Sequence, residues 1–210
     1  MIVNRYRYIE QLSRSKNNGL IKIITGLRRS GKSFLLKKLF HQHLLDEGVR
    51  EDHILVIDME SRKNREFKNP DYLLDWVEKM MIDYETYYII IDEVQEVEDF
   101  VEVLSSLSVT EGADVYVTGS NSRFLSSDLV TEFRGRGDEI HVWPLSFKEF
   151  MTVYDGSKED GWAEYRLYGG LPQLLTQVGD EKKADFLRRL YRTVYPVSYT
   201  HLTLPTKLEV

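Results

Sequence analysis

Gly26-Leu27-Arg28-Arg29-Ser30-Gly31-Lys32-Ser33 matches G-x-x-x-x-G-K-[ST] at every fixed position. An apolar, β-branched run, Leu20-Ile21-Lys22-Ile23-Ile24-Thr25, precedes it, and a helical pattern, Phe34-Leu35-Leu36-Lys37-Lys38-Leu39-Phe40, follows. Strand, glycine-rich loop and helix in that order are the context in which this pattern cradles phosphates. Glycines let the backbone curl so that successive N–H groups face phosphate oxygens, and the helix adds the positive end of its dipole. The expected nucleotide-contacting set is therefore Gly26, Leu27, Arg28, Arg29, Ser30, Gly31, Lys32, Ser33 and Phe34. Lys32 is placed to reach the β- and γ-phosphates, and the Ser33 hydroxyl to hold Mg²⁺.

Further along, Tyr87-Tyr88-Ile89-Ile90-Ile91-Asp92-Glu93 is an apolar run ending in two carboxylates. Continuous apolarity reads as a central parallel strand covered on both faces. Ligands in such sheets sit at the C-terminal strand ends, so Asp92 and Glu93 emerge where the phosphates lie. Asp92 suits the Mg²⁺ site, directly or through water. Glu93 is left to orient and polarise the attacking water.

The rest of the chain alternates strand and helix patterns, the signature of a parallel α/β sheet. After the loop a helix is expected from Lys32 to Asp46, then a strand at His53–Asp58. Asn69-Pro70-Asp71 opens a helix through Ile82. Beyond the Asp92 strand come a helix at Phe100–Leu107, a strand at Asp114–Thr118, a helix at Leu125–Phe133 and a fifth strand at Glu139–Trp143. Thr118-Gly119-Ser120-Asn121-Ser122 follows the fourth strand. Asn121 is the first choice there for a polar contact to the γ-phosphate or attacking water, and Ser120 the second; an ordinary helix N-cap is the competing role. His141 reads as a packed or edge residue, and Trp143, Phe147 and Phe150 as core anchors.

Composition fits an intracellular α/β core: 210 residues, 42% hydrophobic and 30% charged, without cysteine. The start lacks the apolar stretch of a signal peptide, and no run reaches the length needed to span a bilayer, so a cytoplasmic location without membrane insertion is expected. Net charge is −6, but residues 1–50 carry eleven Lys/Arg against three Asp/Glu. That excess is compatible with nucleic-acid contact, although five of those cations lie in or just after the phosphate loop. The Asn-Lys-x-Asp guanine-reading motif is absent from the sequence, which favours ATP over GTP.

Gly26–Ser33, Asp92-Glu93 and Asn121 together resemble the three site motifs of the AAA+ ATPases. Leu27-Arg28-Arg29-Ser30, Asp92-Glu93-Val94-Gln95, Thr118-Gly119-Ser120-Asn121-Ser122, Gly135-Arg136, Pro144-Leu145-Ser146-Phe147-Lys148-Glu149-Phe150 and Tyr168-Gly169-Gly170-Leu171-Pro172 narrow the likeness. The ordered set is similar to a prokaryotic family of predicted ATPases with an N-terminal AAA+ domain and a C-terminal domain of unknown function. The resemblance implies a P-loop NTPase fold of the ASCE/AAA+ type, a five-stranded parallel sheet flanked by helices, with an extra strand separating the phosphate-loop strand from the Asp92 strand. It implies Mg²⁺-dependent ATP hydrolysis with Glu93, Asn121 and Arg136 as catalytic residues and Ser33 and Asp92 at the metal. It also allows a homo-oligomer acting on nucleic acid or a protein complex. Arg136, with Arg134 competing, would stabilise γ-phosphate charge; a surface ion pair with Asp138 or Glu139 is the alternative. A slow nucleotide-dependent switch and, further off, a P-loop kinase are the other functional readings.

On this reading residues 1–145 form the ATPase core and residues 146–195 begin a C-terminal helical region that is cut short. Pro196 is expected to break the helical pattern through Leu187, Leu190 and Tyr191. Val197–Thr206 can be written back as GTC TCT TAT ACA CAT CTG ACG CTG CCG ACG, which looks like the mosaic end and flank of a transposase-based sequencing adapter. Residues 196–210 are therefore expected to be a non-native tail.

Overall fold

The computed structural model describes residues 2–119 and 137–199, with side chains through residue 192. The chain forms two compact units, Met1–Pro144 and Leu145–Val210. The first runs α1 (Tyr6–Arg14), β1 (Ile21–Thr25), α2 (Lys32–Phe34), a π-helical stretch (Leu35–Phe40), α3 (His41–Asp46), β2 (Ile54–Asp58), α4 (Pro70–Met80), β3 (Tyr87–Asp92), α5 (Phe100–Ser108), β4 (Ala113–Thr118) and β5 (Gly137–His141).

The strands make one sheet in the order β2-β3-β4-β1-β5, every pairing parallel. A strand does separate β1 from β3, but it is β4. The strand between them in the chain, β2, lies at the sheet edge.

The unbroken apolarity of β3 follows from double burial. Tyr87, Ile89 and Ile91 pack with Leu73 and Val77 of α4 and Val103, Leu104 and Leu107 of α5. Tyr88 and Ile90 point the other way, toward Leu12 of α1, Leu35, Leu36 and Phe40 of the π-helical stretch, and Leu44 of α3. Each fully buried aliphatic side chain contributes about 1.5–3 kcal/mol. Helix α1 is an element the sequence reading does not anticipate; it covers this second face with Tyr8 and Leu12.

Local chemistry sets most boundaries. Asn69 caps α4 by accepting from the Tyr72 N–H at 2.9 Å, with Pro70 in the first turn. The expected Lys32–Asp46 helix is interrupted by six residues with i→i+5 bonding, Leu35–Phe40. The fifth strand starts earlier than expected, with Gly137 opposite Ile21, and its pairing ends as the Val142 N–H donates to Thr25 O at 2.9 Å. Alternation there turns Val142 inward and Trp143 outward. Trp143 is 61% exposed, packed against the His141 ring, and is not a core anchor.

At the opposite strand ends Lys22 of β1 is buried in an ion pair with Asp114 of β4. Asp114 also accepts from the Tyr116 hydroxyl at 2.8 Å and the Asn17 N–H at 3.1 Å. Burial, reinforced by Asp114, raises the Tyr116 pKa and keeps that hydroxyl a donor.

The second unit holds α6 (Phe147–Met151), α7 (Lys158–Tyr168) and α8 (Asp180–Tyr199). Ser146 and Glu149 form a reciprocal capping box on α6. Phe147, Phe150, Tyr154, Trp162 and Tyr165 make a ring cluster; Phe150 is buried and Phe147 half-buried. Gly170 is required by close approach, because a Cβ there would lie 2.1 Å from Leu145 O. Helix α8 runs across Pro196 to Tyr199, contrary to the expected break. An interior proline costs about 3 kcal/mol through a lost hydrogen bond and a clash with the preceding turn, a penalty that can kink a helix without ending it. No helix among the described residues is long and apolar enough to cross a membrane.

Asp114→Ala strands the Lys22 ammonium and is expected to cost about 3–5 kcal/mol in urea unfolding. Lys22→Met combined with Asp114→Asn should recover more than half of that loss, since the amide still accepts from Asn17 and Tyr116.

Candidate functional site

The Gly26–Ser33 loop leaves β1 with three residues at positive φ: Gly26 at 133°, Arg29 at 69° and Gly31 at 99°. Alternation of hand bends the backbone into a concavity lined by N–H groups, the geometry that receives anions. Gly26 is fixed by packing as well, because a Cβ on it would meet Val142 O at 2.2 Å.

Lys32 turns back under this arch. Its Nζ donates to Gly26 O at 3.0 Å and Leu27 O at 3.1 Å, and its side chain is buried. Burial lowers the Lys32 pKa; Glu93 and Asp92 oppose that shift, and Arg28 adds to it. Leu27, Arg28, Arg29 and Phe34 are exposed around the loop, and Ser33 is half-buried. Ser30 is fully buried, and its Oγ has no hydrogen-bond partner. A buried ammonium facing neutral carbonyls and an orphaned hydroxyl under an N–H-lined arch fit a polyphosphate.

From the N-terminal side Arg5 braces the arch. Its guanidinium donates from Nη1 to Ser30 O at 3.3 Å and from Nη2 to Trp143 O at 2.7 Å, and packs 4.5 Å over the Tyr8 ring.

The acidic half of the site is built by strand ends. Asp92, the last residue of β3, is fully buried. Its Oδ1 accepts from Thr118 Oγ1 at 2.6 Å, and the same Thr118 oxygen accepts from the Glu93 N–H at 3.0 Å. Thr118 ends β4, between β3 and β1. Glu93 sits at φ 57°, ψ 54°, a left-handed conformation costly for a residue with a side chain. Its carboxylate accepts from Gln95 Nε2 at 2.5 Å.

One cation joins this centre from the helical segment after the loop. Lys37 Nζ lies 2.6 Å from Asp92 Oδ2 and 2.7 Å from Asp58 Oδ2. Burial lowers the Lys37 pKa, but its bonds to Asp58 and Asp92 outweigh that and leave it raised. Hard oxygen donors on Ser33 and Asp92 are the ligand chemistry that Mg²⁺ takes.

A family model described as an AAA domain matches residues 18–151. The chain belongs to this family. Its AAA domain is an AAA+ ATPase-type, nucleotide-binding module. An uncharacterised protein of Haemophilus influenzae is 35% identical over 180 residues, covering 83% of this chain and 45% of its own length. An uncharacterised protein of Methanocaldococcus jannaschii is 26% identical over 185 residues, covering 80% of this chain and 39% of its own length. The chain thus spans less than half the length of these curated relatives. The solved Aeropyrum pernix ORC1 protein, in complex with DNA, has a TM-score of 0.53 at 14% identity over 91% of this chain and 61% of that one. That likeness speaks for the fold.

Within the AAA domain, Lys32 of the Gly26–Ser33 loop lies in the field of both Glu93 and Asp92. Ser120, Asn121, Ser122, Arg134, Arg136 and the expected Leu125–Phe133 helix lie outside the described residues. Two partners weighed for Arg136 have other bonds: Asp138 accepts from Ser15 Oγ at 2.5 Å, and Glu139 from Thr25 Oγ1 at 2.7 Å. His141 sits on the edge strand and shares a hydrogen bond with Thr25. Thr118, Lys37, Asp58, Gln95 and Arg5, which the motifs do not single out, bond to the loop or the acidic pair or share a cation with it. Only Thr118 carried a local signal, a hydroxyl at a strand end before a glycine.

Gly26→Ala combines positive-φ strain with a backbone clash, and is expected to cost about 2–5 kcal/mol in denaturant unfolding.

Proposed function

We propose that this AAA domain binds Mg²⁺-ATP and hydrolyses it, and that the cycle drives or gates an effector region beyond it. The observation that carries this reading is the pairing of buried Asp92 with Glu93, held by one Thr118 hydroxyl, beside the Lys32 arch. Phosphates seat on the loop N–H groups, and Lys32 leaves its carbonyl acceptors for the β- and γ-oxygens. Ser33 Oγ and Asp92, directly or through water, would hold Mg²⁺, which would supply neutralising positive charge to the phosphates. Glu93 orients a water in line with the γ-phosphorus and accepts its proton as the new P–O bond forms and the bond to the β–γ bridging oxygen breaks. Asn121, with Ser120 as its alternative, contacts the γ-phosphate or that water. Arg136 or Arg134 stabilises the transferring charge in the same subunit or a neighbour's. A homo-oligomer working in the cytoplasm on nucleic acid or a protein complex is the setting this reading favours.

A slow switch is the second reading, and one observation favours it. The Glu93 carboxylate is tied to Gln95 and Asp92 to both Thr118 and Lys37, so both acids are engaged by the protein itself. Phosphate release measured with and without nucleic acid separates the readings: basal turnover near the stimulated rate supports the hydrolase, and turnover only with a partner supports the switch.

Glu93→Gln keeps shape but cannot take the water's proton. ATP binding should persist by calorimetry while phosphate release falls by roughly 10²–10⁴-fold; an unchanged rate removes Glu93 from the water-activating role. Lys32→Ala should abolish tight Mg²⁺-ATP binding in the same titration, and affinity kept within a few-fold would overturn the loop assignment.

A further inference from the structure

Asp58 and Asp92 end neighbouring strands and are register partners across the β2–β3 ladder. Strands in a sheet lie about 4.8 Å apart, so two carboxylates at one register position are forced into each other's field. Both turn Oδ2 toward a single ammonium, Lys37 Nζ. Their other polar atoms are committed to the fold. Asp58 Oδ1 accepts from the Glu60 N–H at 3.0 Å, Asp58 O accepts from Asn64 Nδ2 at 2.9 Å, and Asp92 Oδ1 holds the Thr118 hydroxyl.

The two halves of the Lys37 bridge differ. Toward Asp58 the ammonium makes an aligned hydrogen bond. Toward Asp92 it is as close, at 2.6 Å, but lies outside good hydrogen-bond alignment with Oδ2. Lysine is a compact charge on a flexible stem, able to exchange partners without moving backbone. Asp58, at the more exposed end of the bridge, can keep the ammonium when Asp92 lets go.

We propose that Asp58, Asp92 and Lys37 form a tethered-cation site: Lys37 occupies a two-carboxylate cation position and yields Asp92 to the divalent cation that arrives with nucleotide, remaining paired with Asp58. This inference rests on the reading of Asp92 as a metal-site residue. The exchange leaves no charge unpaired, because the cation gains Asp92 as the ammonium retreats to Asp58. A free divalent ion must displace Lys37 with only the protein's carboxylates to attract it. An ion complexed to a polyphosphate brings its own anionic ligands. Lys37 therefore makes the site selective for metal–nucleotide over metal alone, and Asp58 is the positioning residue that makes release of Lys37 affordable.

The test uses the purified chain and Mn²⁺ as probe, read by electron paramagnetic resonance of free Mn²⁺ without nucleotide. Lys37→Met should bind Mn²⁺ about two- to fivefold more tightly than the parent, the scale set by losing one competing ion pair. Lys37→Met with Asp58→Asn should lose that gain. Asp58→Asn alone should weaken Mg²⁺-ATP binding while leaving ATP binding in chelator unchanged. If Lys37→Met folds poorly, Lys37→Gln, which can still bond both carboxylates, should show the same gain. Mn²⁺ affinity equal to or weaker than the parent's in the folded variant overturns the proposal. Asp92→Asn separates this from failure of the underlying reading. If Asp92→Asn keeps metal-dependent ATP binding, the metal role of Asp92 falls. If it loses that binding and Lys37→Met still gains nothing for Mn²⁺, only the tethered cation falls.

Discussion

Parallel strands in register end along one edge, and every strand of this sheet ends on a polar residue. Across the sheet these are Asp58, Asp92, Thr118, Thr25 and His141. The bodies of β1, β3 and β4 are buried on both faces, so these strands can present polar groups to a ligand only where the ladders stop. The site follows from that constraint. Thr118 bonds Asp92, Lys37 joins Asp92 to Asp58, and Thr25 bonds Glu139 and His141, so the polar edge is cross-linked in two groups. Groups held this way lose little freedom when a ligand arrives, which is what preorganised electrostatics requires.

Polar chemistry at the other strand ends serves a different purpose. Lys22, Asp114 and Tyr116 satisfy one another inside the core, with the Asn17 N–H as a further donor to Asp114. Removing one partner of such a cluster is costly, whereas the cluster as a whole contributes little over well-packed apolar residues. The phosphate-loop end instead keeps strain and an orphaned hydroxyl: Glu93 in a left-handed conformation and Ser30 Oγ without a partner.

The loop and the acidic pair were legible because each is local. Eight consecutive residues define the arch, and Asp92-Glu93 needed only the apolar run before it. Lys37 and Asp58 were invisible for the converse reason: their partnership depends on β2 lying beside β3, which chain order does not contain. The neighbour that separates β1 from β3 was likewise expected in number but not identity. Trp143 misled because aromatic character signals burial on average, while strand alternation decided its side. The break expected at Pro196 gave too much weight to one lost hydrogen bond, and the π-helical stretch at Leu35–Phe40 left no trace in an apolar pattern that suits an α-helix equally well.

Arg5 has a consequence for how the molecule can be handled. One buried guanidinium touches the carbonyl of Ser30 in the arch and that of Trp143 just past β5, so the segment before α1 braces the Gly26–Ser33 loop. The usual assumption that the first residues of a domain are dispensable fails here. A fusion partner or trimmed terminus that pulls Arg5 out of place would loosen the arch and the chain after β5 together, although neither lies near it in sequence.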